Sequence, residues 1–227
     1  MRRQPAQNPD PVEMILDVYR RGWFPMTDLE SGRIELFDPD PRAVIPLDAY
    51  HLSRSLRKRV RSRRYDVTSD RAVEEVLRAC ADPRRDGGWI DEQLISLYLA
   101  LFRRGHLHTV EAWLETDDGP ELLGGLFGVH LNGVFAAESM FSRPDLGGVD
   151  ASKVCLAHLF EHLNARGFAL LDVQCWNEHL DQFNCVELGR DEYKRMLAPA
   201  LRIETSWGPF DPERAVAACG GGVDSRP

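Results

Sequence analysis

The sequence predicts an α+β protein, a mixed sheet with helices against it, on three observations. Three strand-like runs, His108–Glu115, Leu122–His130 and Val134–Phe141, follow one another. They are separated by Asp118-Gly119 and Asn132-Gly133, dipeptides that suit the positive φ of tight hairpin turns. Long helical patterns stand on both sides of this meander, and a further strand follows the second helix, an order that describes a sheet with helices packed on it.

Taken in chain order, Val12–Arg21 reads as a short helix stopped by Gly22. Prolines 39, 41 and 46 argue against regular structure, so a linker is placed near residue 45. Tyr65–Thr68 reads as a strand, with Ser69 and Asp70 as N-cap candidates for a helix to about Cys80. Asp91–Arg104 carries Leu94, Tyr98, Leu101 and Phe102 on one stripe, with Gly105 beyond its end. After the meander come a helix from about Asp150 to Arg166 closed by Gly167, a strand Ala169–Cys175, and short helices near Glu178–Phe183 and Asp191–Leu197. The tail Ala215–Pro227, with three consecutive glycines, is expected to be disordered. The domain reading is a small N-terminal unit over 1–45, a main domain over 46–210 and a tail over 211–227.

At 227 residues, 43% hydrophobic and 28% charged, the chain can bury a full core. No run approaches the ~20 apolar residues of a membrane span. Residues 1–11 lack the apolar centre of a secretory signal. The five cysteines are an odd number without a Cys-x-x-Cys pair, which argues against a disulfide framework or zinc ribbon and for a reducing cytoplasm. A net charge of −8 argues against a general nucleic-acid coat. Yet Ser53–Arg64 holds seven basic residues in twelve and no acid. That run is either a solvated helix face or a patch for phosphates, which would make binding salt-dependent.

Two polar intrusions into apolar strands mark a candidate site. Glu138 interrupts the small or apolar run from Gly133 to Met140, and Asp172 and Gln174 stand two apart within Leu170–Gln174, on one face of that strand. Charge in a buried strand is costly unless it is paired or used. His158-Leu-Phe-Glu-His162 fits an inverted zinc-protease pattern, but no third ligand motif follows it, and no metal is expected. His106 and His108 alternate on a strand and read as structural.

Ten segments resemble, in family order, the bacterial leucyl/phenylalanyl-tRNA–protein transferases. They include Tyr19-Arg-Arg-Gly-Trp-Phe-Pro25, Pro39-Asp-Pro-Arg-Ala-Val-Ile-Pro46, His51-Leu-Ser-Arg-Ser-Leu-Arg-Lys58, Phe135-Ala-Ala-Glu-Ser-Met-Phe-Ser142, Ala151-Ser-Lys153, Leu170-Leu-Asp-Val-Gln174 and Asn177-Glu-His179. The resemblance implies a GCN5-related acetyltransferase-like main domain with a small N-terminal α/β annex and no cofactor. It implies transfer of Leu or Phe from aminoacyl-tRNA to the α-amine of proteins that begin with Arg or Lys, marking them for degradation.

On that resemblance Asp172, Gln174 and Glu138 are the catalytic candidates. Asp172 and Gln174 would orient the incoming amine, and Glu138 would grip the amino group of the bound amino acid. Leu126, Phe135, Leu159, Leu163 and Leu171 would wall the aminoacyl pocket, and Tyr19, Trp89 and Tyr98 would lie near the tRNA's 3′ adenosine. Arg54, Arg57, Lys58 and Arg61 would hold tRNA phosphates. Ser152 and Lys153 are weaker candidates at the start of a helix. A coenzyme A-dependent N-acetyltransferase on the same fold is the rival enzyme. The loop Arg143-Pro-Asp-Leu-Gly-Gly148 has the wrong spacing for that family's phosphate turn. A non-catalytic RNA-binding module is the third reading.

Overall fold

The computed structural model describes residues 10–28, 30–84 and 88–220. An N-terminal helix, α1 (Pro11–Arg20), leads into a hairpin of β1 (Phe24–Asp28) and β2 (Arg33–Phe37), then β3 (Arg42–Ile45), α2 (Arg54–Arg61), β4 (Asp66–Ser69), α3 (Val73–Cys80) and α4 (Glu92–Arg103). The meander is β5 (Leu107–Thr116), β6 (Gly119–Leu131) and β7 (Val134–Ser142). Then come α5 (Ala151–Ala165), β8 (Leu170–Gln174), α6 (Glu178–Asp181), β9 (Val186–Leu188), α7 (Arg190–Ala200) and α8 (Glu213–Gly220). No described helix is long and apolar enough to cross a membrane.

Seven strands form one mixed sheet in the order β4-β5-β6-β7-β8-β3-β9. Neighbours run antiparallel except β7 and β8, which run parallel. One core holds residues of α1, α3, α4 and α7, among them Leu16, Leu77, Leu94, Tyr98 and Leu197. The other holds Leu56 of α2, Leu159 and Leu163 of α5, and Cys219 of α8. Period-two alternation delivers each strand's side chains to both. On β8, Leu170 joins the first core and Leu171 and Val173 the second, so Asp172 and Gln174 share the first face as the sequence spacing requires. Close approach depends on glycine at one crossing. A Cβ on Gly124 would lie 2.5 Å from the Ala151 Cβ and 2.9 Å from the Ser152 nitrogen, so only glycine lets the first turn of α5 settle on β6.

Helices α1 and α3 to α7, the meander and its turns match the sequence pattern. Asp10 and Asp91 cap α1 and α4, accepting from the backbone nitrogens of Val12 and Leu94. Four local expectations are corrected. The linker placed near residue 45 is strand β3, between β8 and β9. Pro41 and Pro46 flank the strand without interrupting it. The stretch between the first helix and those prolines, to which no strand is assigned from the sequence, is the β1–β2 hairpin. Ser69 and Asp70 do not cap α3, because Asp70 is taken by the His108 ring and the Thr109 nitrogen and Ser69 bonds the Thr109 carbonyl. The buried Glu111 of β5 instead accepts from the nitrogens of Arg71 and Ala72 ahead of the helix. Residues 213–220 of the expected disordered tail form α8, packed on α2 and α5. Residues 221–227 of that tail, and residues 1–9 of the stretch read as lacking a signal, lie outside the described residues.

The C-terminal segment is fastened to the sheet through imidazoles. Trp207 stacks on His108 at 4.3 Å and meets His162 at 4.3 Å, while His130 Nε2 pairs with the Thr205 hydroxyl at 2.8 Å. Burial lowers the pKa of His130, His158 and His162 from 6.5 to about 4 each. In the unfolded chain these rings regain their ordinary value, so between pH 6.5 and 4 the unfolded state binds more protons. Stability is then complete above pH 6.5 and falls as the pH drops below it, by up to about 1.4 kcal/mol per pH unit for each ring. Urea unfolding of a Glu138→Gln variant, which lacks the one carboxyl among the described residues whose raised pKa works in the opposite sense, should show this loss between pH 7.5 and 5.5; equal stabilities would contradict it.

Candidate functional site

The site forms where β7 and β8 part company. Their parallel pairing covers Val134↔Leu170, Phe135↔Leu171 and Ala136↔Asp172 and then ends. Beyond it β7 continues along β6 to Ser142, while β8 stays paired with β3. At the point of divergence β7 carries a bulge. Ala137 faces Gly128 and Ser139 faces Phe127, so Glu138 is the unpaired extra residue. A bulge re-aims the side chain it carries. A Cβ on Gly128 would lie 2.3 Å from the Phe135 ring, so glycine is required opposite the distortion.

Both carboxyl oxygens of Glu138 are engaged. The Tyr98 hydroxyl donates to Oε2 and the Gln174 amide to Oε1, each at 3.0 Å. The Glu138–Gln174 bond therefore spans the gap that backbone pairing leaves open. Burial pushes the Glu138 carboxyl up to about 8, against hydrogen bonding from Tyr98 and the charge of Arg42, so in the free protein it is mostly protonated at neutral pH. The Tyr19 hydroxyl is buried close by without a hydrogen bond of good geometry. Burial and the adjoining carboxylate push both phenols well up.

Asp172 occupies a different environment. It is 2% exposed, and Arg42, 1% exposed, grips it with two parallel bonds, Nε to Oδ1 at 2.9 Å and Nη2 to Oδ2 at 2.7 Å. Tyr193 donates to Oδ2 at 2.7 Å and the Gln174 backbone nitrogen to Oδ1 at 2.9 Å. Arg42 also donates to the Gly22 carbonyl and lies over the rings of Phe24 and Tyr193. Burial alone would lower the Arg42 pKa, but the bonds and charge of Asp172 raise it, so the guanidinium stays charged. Gln174 sits at φ +58°, a left-handed conformation that glutamine, unlike asparagine, does not favour, and the Asp172 bond to its nitrogen helps hold it there.

A cleft of about 660 Å³ opens between the separated strands, lined by Glu138, Met140, Leu126, Leu156, Val173 and Leu180. Ser152 and Lys153 line its rim where α5 begins. Ser142 of β7 accepts from the Ser152 nitrogen at 2.9 Å and ties this turn to the strand. Glu138, Leu126, Ser152 and Lys153 thus lie on the cleft, and Gln174 touches it through Glu138.

Other expected positions are corrected. Asp172 is sealed with its acceptors occupied and does not line the cleft; its link toward it is the bond from the Gln174 nitrogen. Phe135, Leu159, Leu163 and Leu171 are 0% exposed in the core beneath the cleft; on α5, Leu156 faces the opening while the later leucines pack under the sheet. Tyr19 and Tyr98 cannot offer a ring face to a base, because both are core residues and Tyr98 packs edge-on to Phe127 at 5.1 Å. Trp89 is half-buried outside the cleft lining. Sequence reasoning missed Arg42, Tyr193, Val173 and Leu180. The buried-strand pattern Arg-Ala-Val-Ile was the available signal for Arg42, and the flanking prolines obscured it.

The basic run is helix α2, capped by Ser53 and anchored by Leu56 and Val60. The side chains of Arg54, Lys58 and Arg61 recur on one face and make no hydrogen bond or ion pair with any described residue. Arg57 instead turns back to the Leu52 carbonyl.

Residues 44–198 match the family model described as leucyl/phenylalanyl-tRNA protein transferase. The chain is 48% identical to the leucyl/phenylalanyl-tRNA–protein transferase of Gloeobacter violaceus, over 84% of this chain and 94% of that one. It is 42% identical to the protein of the same name from Hyphomonas neptunium, over 93% and 82%. Among solved structures FemX is similar with a TM-score of 0.45 and 12% identity, over 62% of this chain and 55% of that one.

Titration of a carbon-labelled Glu138 carboxyl should give a midpoint near 8. Tyr98→Phe removes a bond that favours the charged form, so the midpoint should move up. A wild-type midpoint below 5.5 would show that burial does not govern this group.

Proposed function

The chain belongs to the leucyl/phenylalanyl-tRNA–protein transferase family, and from that premise we propose how its cleft performs the reaction. The enzyme moves Leu or Phe from aminoacyl-tRNA to the α-amine at a protein N-terminus. Our reading adds acceptors that begin with Arg or Lys, no metal, and a reducing cytoplasmic setting. It also takes the sheet as GCN5-related acetyltransferase-like, supported by the antiparallel meander, the helix after it, and the parallel strand that leaves its neighbour halfway.

The observation that carries the reading is Glu138, held by Tyr98 and Gln174 on the lip of an apolar cleft. The cleft takes the esterified side chain against Leu126, Leu156, Val173 and Leu180. Glu138 receives the amino group of the bound amino acid. The charge of Arg42 is already matched by Asp172, so an arriving ammonium supplies the countercharge Glu138 needs, and the carboxyl then gives up its proton to water. Gln174 spends its amide N–H on Glu138 and keeps its carbonyl oxygen as an acceptor for the incoming amine. That amine has an ordinary pKa near ~7.7–8.0, so a neutral fraction is present without strong base assistance. Its nitrogen bonds to the ester carbon, the bond to the terminal ribose oxygen breaks, and that oxygen leaves with the proton that the amine nitrogen loses. The ester is already activated, so placement supplies most of the help; oriented reactants gain on the order of 7–11 kcal/mol in the best intramolecular cases. Arg54, Lys58 and Arg61 hold backbone phosphates, contacts that position a nucleic acid without reading its bases.

Incubation with labelled Leu-tRNA or Phe-tRNA and peptides starting with Arg, Lys or Met tests the reading. Transfer to the first two and not the third is expected; equal transfer to all three would remove the acceptor assignment. Gln174→Ala should lower kcat by about 10- to 100-fold, the effect of one lost hydrogen bond in the transition state, with tRNA affinity nearly intact. Joint replacement of Arg54, Lys58 and Arg61 by Ala should weaken tRNA binding and flatten its logarithmic salt dependence by about 0.9 for each lost phosphate contact. An unchanged slope would take this face off the tRNA path.

A further inference from the structure

Helix α2 carries a second set of cations that the transfer reaction does not use. Arg59 lies toward α5, and Arg63 and Arg64 follow the helix end. With His158 of α5 and Glu213 of α8 they bound a recess of about 170 Å³, room for several waters at about 30 Å³ each. No residue of this recess lines the transfer cleft.

Two features of the recess lack an internal explanation. His158 is 5% exposed, its Nδ1 is sealed without a partner, and neither ring nitrogen bonds any described residue. Nδ1 is closed to a ligand, so the nitrogen that can meet one is Nε2, which is not sealed and bonds no described residue. Glu213, in turn, lays its carboxylate across the Arg63 guanidinium, Nη2 to Oε2 at 2.5 Å, in the two-bond geometry that also suits phosphate. That pair is more than half exposed, at 57% and 58%, and exposed pairs contribute little stability. The bond between Arg59 and Asp150, 3.2 Å long, is also partly open to water. Both arginines can therefore change partners at small cost.

We propose that this recess is a second anion site, which takes a phosphate group on Arg63, Arg59 and Arg64 with an N–H from His158, and that Glu213 keeps the place in the free protein. A phosphate offers several acceptor oxygens where Glu213 offers two, so it can satisfy the imidazole and the guanidinium together. The phosphate comes either from an RNA backbone or from a free phosphate or phosphate monoester.

The whole protein is titrated with inorganic phosphate while the imidazole resonances of His158 are followed, and with uncharged tRNA by filter binding. Saturable movement of the His158 signals is expected, with its pKa rising from about 4. Arg63→Ala should weaken binding about tenfold or more, as for one lost charge-assisted bond, and Glu213→Gln should tighten it by removing the competitor. Arg63 is exposed, so its variant should keep the wild-type melting temperature. A response to phosphate alone identifies a free ligand. A tRNA affinity that depends on Arg63 in a chain already lacking Arg54, Lys58 and Arg61 identifies the RNA backbone. Silence of His158 toward phosphate together with a tRNA affinity indifferent to Arg63 would overturn the proposal, and so would binding of equal strength in the two Arg63 forms. These readouts do not involve transfer, so they stand or fall apart from it.

Discussion

A guanidinium and a carboxylate removed from water together lose hydration worth several kcal/mol each, and only close geometry with every remaining valence satisfied recovers it. Arg42 and Asp172 meet that condition. Their two parallel bonds, the Tyr193 hydroxyl, the Gly22 carbonyl and the Gln174 nitrogen leave little unpaired. The pair also ties together distant parts of the chain: β3, β8, the turn after α1, and α7. Removing either partner would strand a buried charge, so the cluster fixes how these elements meet. Gln174 inherits its place from that cluster, and Glu138 inherits one of its two bonds from Gln174.

The open part of the sheet follows from a local break in register. Continued pairing of β7 with β8 would place backbone bonds where the cleft now lies. The bulge at Glu138 turns its carboxyl to the gap, and the side-chain bond to Gln174 spans the distance. Burial that makes this carboxyl reluctant to ionise also leaves it responsive to an arriving cation, because the cost of its charge is lifted when a countercharge is bound. The sheet's irregularity and the site's chemistry thus have one origin.

Charge is segregated in the same economical way. A chain of net charge −8 keeps an acid-free basic run on one short helix and the turn after it, where Leu56 and Val60 are the anchors and the rest of the helix surface is left to cations and serine. Arg54, Lys58 and Arg61 are exposed and make no side-chain bond with any described residue, whereas Arg59 and Arg63 are matched by carboxylates from α5's start and from α8. One face is free for an external anion and the other is occupied from within.

Much of this was legible from order along the chain. Hairpin dipeptides, apolar periodicity and capping residues are local signals, so the meander, α1, α4 and α5 could be read from neighbours in sequence. Glu138, Asp172 and Gln174 stood out because strands with one buried face do not carry such groups idly. Tertiary structure decided what no local pattern encodes. It showed that β3 joins the sheet despite its prolines, because its partners β8 and β9 lie more than a hundred residues away. It showed that Asp172 is spent on Arg42, that Tyr98 supplies a hydroxyl to Glu138 while its ring stays in the core, and that Leu156, unlike Leu159 and Leu163, faces the cleft. Side-chain identity tells which groups must find partners; only the folded chain tells which partners they find, because those bonds join residues the sequence keeps far apart.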